Sequence, residues 1–88
     1  MNIYFSKEFI KNYRKITKKN ISLREKVKMN LRVFRENPRH PSLRLHRLKG
    51  KMVDDWSISI QSDLRIVFTY ISDGILLVDI GNHKEVYK

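Results

Sequence analysis

Trp56-Ser57-Ile58-Ser59-Ile60-Gln61-Ser62-Asp63-Leu64-Arg65-Ile66-Val67-Phe68-Thr69-Tyr70-Ile71-Ser72-Asp73-Gly74 is the stretch that decides the fold. Trp56, Ile58 and Ile60 alternate with Ser57, Ser59 and Gln61, and Leu64, Ile66, Phe68 and Tyr70 alternate with Arg65, Val67, Thr69 and Ile71. Side chains that alternate in this way stand on opposite faces of a strand. Ser72-Asp73-Gly74 carries the residues of a tight turn. Beyond it Leu76, Val78 and Ile80 alternate with Ile75, Leu77 and Asp79. Three successive strands joined by short turns predict an antiparallel meander. If the alternation holds, Ser57, Ser59, Arg65 and Asp79 share a wet face, turned away from Trp56, Ile58 and Ile60, which could receive a nucleic-acid strand.

Upstream the period lengthens. Ile3-Tyr4-Phe5 predicts a short strand, and Ser6 a helix N-cap with Glu8 in the positive first turn. Phe9, Ile10, Tyr13 and Ile16 repeat at helical spacing, opposite Lys7, Lys11, Arg14, Lys15 and Lys18. Ser22-Leu23-Arg24-Glu25 matches a capping box. It predicts a second helix with a stripe of Leu23, Val27, Leu31 and Phe34, stopped at Asn37-Pro38. The two helices are near enough in sequence to form an antiparallel hairpin. Residues 37–51 read as a basic loop over the domain body, pinned by Leu43, Leu45 and Leu48. The expected fold class is α+β, in the order β-α-α-β-β-β: an antiparallel sheet with a helical hairpin on one face, in a single domain over residues 1–88.

Charge is divided along the chain. Residues 1–51 hold 16 Lys and Arg against 3 acids, a net of +13, while residues 52–88 hold 3 bases against 6 acids, a net of −3. The total of +10 exceeds the roughly 2–8 that solubility asks of a small domain. It points to a polyanion, since cations that neutralise phosphates release condensed counterions. A membrane surface or an acidic protein offers the same counter-charge. At 88 residues the chain buries only about 60–65% of its unfolded surface, so the core must be economical. The absence of cysteine excludes disulfides and thiolate metal sites. The histidines at 40, 46 and 83 lack metal-ligand spacing, and glycine is too sparse for a phosphate-cradling loop. No cofactor and no small-molecule substrate are expected. The N-terminus becomes charged too early for a signal peptide, and the apolar run Ile75–Val78 is far too short for a bilayer. The expectation is a soluble cytoplasmic protein with no membrane partner.

Leu48-Lys49-Gly50-Lys51, Trp56-Ser57-Ile58, Asp63-Leu64-Arg65-Ile66-Val67-Phe68 and Asp79-Ile80-Gly81-Asn82-His83-Lys84-Glu85-Val86-Tyr87 together resemble the RelE/ParE superfamily of toxin–antitoxin toxins. The ending is similar to the Gly-Thr-His-Asp-Glu-Val-Tyr tail of RelE/StbE and YafQ-like members. The detailed match covers residues 45–87; the N-terminal half matches in pattern. The resemblance implies an endoribonuclease that cuts messenger RNA on the ribosome and is neutralised by a co-expressed acidic antitoxin.

Metal-free RNA cleavage needs a base for the ribose 2′-hydroxyl, a cation for the phosphorane and an acid for the departing 5′ oxygen. His83, after Gly81 in the tail, is the first candidate, because an imidazole can act as acid or base near neutral pH. Tyr87 matches the terminal aromatic of the family and could stack on a base or hold a phosphate; packing of the C-terminus is the alternative. Arg65 interrupts an apolar strand and matches the strand arginine of RelE and YoeB-like toxins. A guanidinium suits a phosphate bidentately, but a salt bridge to Asp79 would serve equally. His46 corresponds to a loop histidine of YafQ-like toxins, and Asp63 to an aspartate of the same group, though a β-turn also favours aspartate there. Lys49, Lys51 and Arg47 are expected phosphate contacts, with Ser57 and Ser59 on the RNA-facing strand. The chain departs from the pattern at Ser59, where YafQ-like toxins have histidine, and at Asp79, where they have arginine. RelE itself has lysines in place of Ser57 and Ser59. Serine does not titrate near neutrality, so weak activity is one expected outcome. Two readings without cleavage stay open: a ParE-like inhibitor of DNA gyrase, and an RNA-binding module.

Overall fold

A computed structural model describes residues 1–48 and 54–82. Strand β1 (Asn2–Phe5) leads into helices α1 (Lys7–Thr17) and α2 (Ile21–Glu36). A 3-10 turn (Pro41–Leu43) follows, and then strands β2 (His46–Arg47), β3 (Asp55–Gln61), β4 (Leu64–Ile71) and β5 (Gly74–Gly81). The sheet order is β1-β5-β4-β3-β2. The meander β3-β4-β5 is antiparallel as its alternation predicts. The sheet as a whole is mixed rather than antiparallel, because β1 joins the far edge of β5 in parallel, with Ile3 opposite Ile75 and Phe5 opposite Leu77.

Ser6 explains why the chain turns from strand to helix where it does. Its Oγ accepts the Phe9 amide at 3.0 Å, which caps α1, and donates to the Val78 carbonyl at 2.7 Å. The Ser6 amide also donates to the Leu77 carbonyl at 3.0 Å. The second cap differs from the expected Ser22 box. Asn20 Oδ1 accepts the Leu23 amide at 2.9 Å, and the Asn20 carbonyl receives Arg24 N–H at 3.1 Å. With Asn20 already satisfying the first orphan amides, Ser22 falls inside the first turn. The helix ends at Asn37 as expected, where the cap amide donates to the Val33 carbonyl.

The helices cover one face of the sheet. Phe9, Val27 and Phe34 pack with Leu43, Ile58, Ile66, Phe68, Ile75, Leu77 and Ile80 in one core. Phe34 and Phe68 meet edge to face, 4.9 Å between ring centroids, both fully buried. Burial of one such aromatic side chain contributes about 1.5–3 kcal/mol. Ile10, expected in the helical stripe, is instead exposed.

Three further expectations give way. Residues 37–51 are not simply loop: His46–Arg47 pairs with β3, too short a strand for any periodicity to reveal. Leu43 and Leu45 do reach the helix-side core, but Leu48 is buried on the other side of the sheet with Val67 and Val78. The phase of β5 is also reset. Val67 pairs with Asp79 while Phe68 pairs with Leu77, so Val78 is an extra residue in a bulge. Ile75, Leu77 and Ile80 therefore face the core, and Leu76 and Val78 do not.

Gly74 is required by proximity. A Cβ there would lie 2.0 Å from the Asn2 carbonyl oxygen, so only glycine lets β1 approach this end of β5. No helix among the described residues is long and apolar enough to cross a membrane.

Candidate active site

The face of the sheet opposite the helices carries two adjoining patches. Strand register places His46 opposite Ser57, and Ser57 opposite Val67. In the next row Ser59 lies opposite Arg65, and Arg65 opposite Gly81. Directly paired residues share a face, so Ser57, Ser59 and Arg65 are brought together as the alternation predicts, and β2 adds His46, which was expected in a loop. Arg65 is the fixed centre of this polar patch. Its Nε donates to Ser57 Oγ at 3.0 Å and its Nη2 to the Arg44 carbonyl at 3.0 Å. The remaining N–H groups of the guanidinium have no partner among the described residues, and an oriented guanidinium of this kind suits a phosphate.

This face is less wet than its sequence implies. Ser57 and Val67 are fully buried, and Leu48, Val67 and Val78 make a small apolar cluster beside the polar patch. Asp79 leaves the patch altogether. The bulge turns it to α1, where its Oδ1 accepts from Asn12 Nδ2 at 2.7 Å and from the Ile80 amide at 2.8 Å. The salt bridge considered for Arg65 is thus replaced by Ser57 and Arg44.

Arg47 stands on the opposite face from His46. It pairs with Trp56, and its guanidinium carbon lies 5.9 Å from the indole centroid. Asp63 is exposed in the turn between β3 and β4 and makes no hydrogen bond among the described residues. His83, Tyr87, Lys49 and Lys51 lie outside the described residues. Their sequence neighbours are placed: β5 ends at Gly81, beside Arg65, and Leu48 donates to the Asp55 carbonyl at 2.9 Å.

Sequence reasoning missed Arg44. It adopts the left-handed region, φ 48° and ψ 51°, which is costly for a residue with a Cβ. That conformation closes the 3-10 turn and presents the carbonyl that holds Arg65. Only its position just past Pro41-Ser42-Leu43 hinted at an unusual backbone.

Clefts among the described residues flank the sheet on its helix side, and two of them bear on function. One, of about 480 Å³, is lined by Phe5, Phe9, Ile10, Tyr13, Val27 and Leu31 and rimmed by Arg14, Arg24 and Lys28. The other, of about 290 Å³, is bounded by Arg39, His40, Pro41, Arg44, Leu45 and Trp56. No group of three His, Cys, Asp or Glu side chains among the described residues is arranged to hold a metal ion.

Solved structures share this architecture. The chain is similar to a metal-bound toxin from Helicobacter pylori, with 27% identity over 98% of both chains and a TM-score of 0.77. YafQ from E. coli strain BL21(DE3) superimposes with a TM-score of 0.82 at 16% identity, over 99% of this chain and 98% of that one. YafQ in the E. coli DinJ–YafQ toxin–antitoxin complex superimposes with a TM-score of 0.77 at 18% identity, over 99% and 97%. The last two likenesses establish the fold. Comparison with curated proteins finds no match. The family described as "Bacterial toxin of type II toxin-antitoxin system, YafQ" matches residues 1–88 in full. The chain belongs to this YafQ family of type II toxin–antitoxin toxins.

Proposed function

We propose that this toxin is a ribosome-dependent messenger-RNA endoribonuclease of the cytoplasm, acting through one domain spanning residues 1–88. One observation carries the reading: Arg65 is held by Ser57 and Arg44 on the open sheet face, in the row next to His46. A guanidinium fixed there meets the need of a crowded anionic phosphorane without reorganising during the reaction.

The ribose 2′ oxygen attacks the adjacent phosphorus as a base removes its proton. The bond from phosphorus to the 5′ oxygen breaks as an acid returns a proton to that oxygen. The products are a 2′,3′-cyclic phosphate and a 5′-hydroxyl, and no cofactor or metal is needed. His46 and His83 are the acid–base pair in this reading. Arg65 stabilises the phosphorane and Tyr87 stacks on a base. Arg47, Lys49 and Lys51 hold flanking phosphates, with Ser57 and Ser59 beneath the strand. Asp63, exposed in its turn, stands in reserve as a base.

The partner is a cognate acidic antitoxin; YafQ from E. coli forms a toxin–antitoxin complex with DinJ. The apolar cleft between Phe5, α1 and α2 supports this, because its rim of Arg14, Arg24 and Lys28 complements an acidic segment with an apolar face.

Primer extension on a translated message after induction of the toxin tests the cleavage. Cuts inside reading frames are expected, and His83→Ala is expected to abolish them together with growth arrest. Intact messages alongside loss of gyrase supercoiling would overturn the reading in favour of a gyrase inhibitor.

A further inference from the structure

The second cleft, walled by Arg39, His40, Arg44 and Trp56, is not used by the chemistry above. It lies at β2, the edge strand of the sheet, on the face opposite Arg65. Its composition is unusual for a solvated loop: an indole stands at the edge of the core, edge to face with Tyr70, and two arginines and an imidazole line the cleft with it. Arg47 lies over the indole ring without lining the cleft. His40 Nδ1 accepts the Ser42 amide at 3.2 Å, which leaves Nε2 as the ring nitrogen able to offer a donor. Aromatic rings flanked by arginines bind unpaired nucleotides, the ring taking the base and the cations taking the phosphates.

Arg44 connects the two faces. Its side chain lines the cleft while its carbonyl fixes Arg65 on the open face. Its positive φ would suit glycine without strain, yet the position carries a cation. From this juxtaposition we infer that the Arg39–His40–Arg44–Trp56 cleft is a subsite for a nucleotide flanking the scissile one. The single-stranded RNA rounds the β2 edge to reach it. The inference rests on the RNA reading but not on cleavage.

Trp56 is the only tryptophan of the chain, so its emission reports on the cleft directly. The probe is a short single-stranded 2′-O-methyl RNA, which cannot be cut because its nucleophile is blocked. The expected result is saturable quenching of Trp56. Arg44→Gly should weaken binding about five- to tenfold and reduce the salt slope by about one, the mark of one lost phosphate contact. The same variant keeps the carbonyl that holds Arg65 and relieves the backbone, so its thermal stability should be unchanged or higher. Arg39→Ala should weaken binding in the same way.

Wild-type affinity in both variants would overturn the subsite. So would constant Trp56 emission while the anisotropy of a labelled oligonucleotide reports saturation, and so would absence of binding at low salt. Quenching with arginine dependence, but without cuts in primer extension, would keep the subsite and remove the nuclease.

Discussion

The two faces of the sheet are filled by different means. Against the helices, Phe34, Phe68, Ile58, Ile66, Ile75 and Leu77 are wholly buried in a continuous core. On the opposite face, among the described residues, Leu48, Val67 and Val78 form a small cluster beside Arg65, His46 and the two serines. One face is closed by apolar packing; the other is held in part by directional hydrogen bonds to a cation. Such a division lets a small domain keep a half-buried charged group at a fixed position. Its stability comes chiefly from the apolar side chains of the closed face.

The sharpest way to break this division is to open the helix side. Phe34→Ala should cost about 3–5 kcal/mol, a large fraction of the total stability of a domain this size, with loss of the cooperative urea transition. Gly74→Ala should cost roughly 3 kcal/mol, because the new methyl meets the Asn2 carbonyl and must displace β1. Arg65→Ala probes the other face. Its stability cost should be about 1 kcal/mol, a shift of roughly 4–8 °C in Tm. RNA cleavage should fall about 10²–10³-fold. A variant that unfolds in proportion to its lost activity would erase the distinction between the faces.

The smallest effect lies at Asp55. Burial, then the neighbouring Asp54 charge, pushes its carboxyl above the usual carboxylate range. The folded state therefore binds this proton more tightly than the unfolded chain does. The stability so gained is complete below the ordinary carboxylate pKa and declines as pH rises through the folded value. Asp55→Asn should stabilise the protein at neutral pH by no more than about 0.5 kcal/mol after solvent screening, and the gain should vanish in acid. Melting curves of both proteins across that range check the sign.

Much of this architecture was legible in residues alone. Ser6, Asn37 and the alternation through β3 and β4 specify elements through local chemistry. The β5 bulge was not legible, because Ile75, Leu76, Leu77 and Val78 are all apolar and either phase fits the pattern. Asn20 outcompeted the Ser22 box from two residues upstream, a choice that depends on where the preceding helix stops. At the candidate site Arg65 announced itself by interrupting an apolar strand. Its tether to Arg44 spans 21 residues and depends on a left-handed backbone that the sequence pattern does not mark. Asp79 was assigned to the wrong company for the same reason as the bulge. His83 and Tyr87 rest on the tail motif, outside the described residues.

Ser6 joins helix to sheet through one hydroxyl: the same oxygen that starts α1 also grips β5 at Val78. Loss of that one hydroxyl would therefore uncap α1 and release its hold on β5 together. Amides of β1, the start of α1 and the middle of β5 should exchange with solvent as one unit, a foldon spanning both ends of the chain.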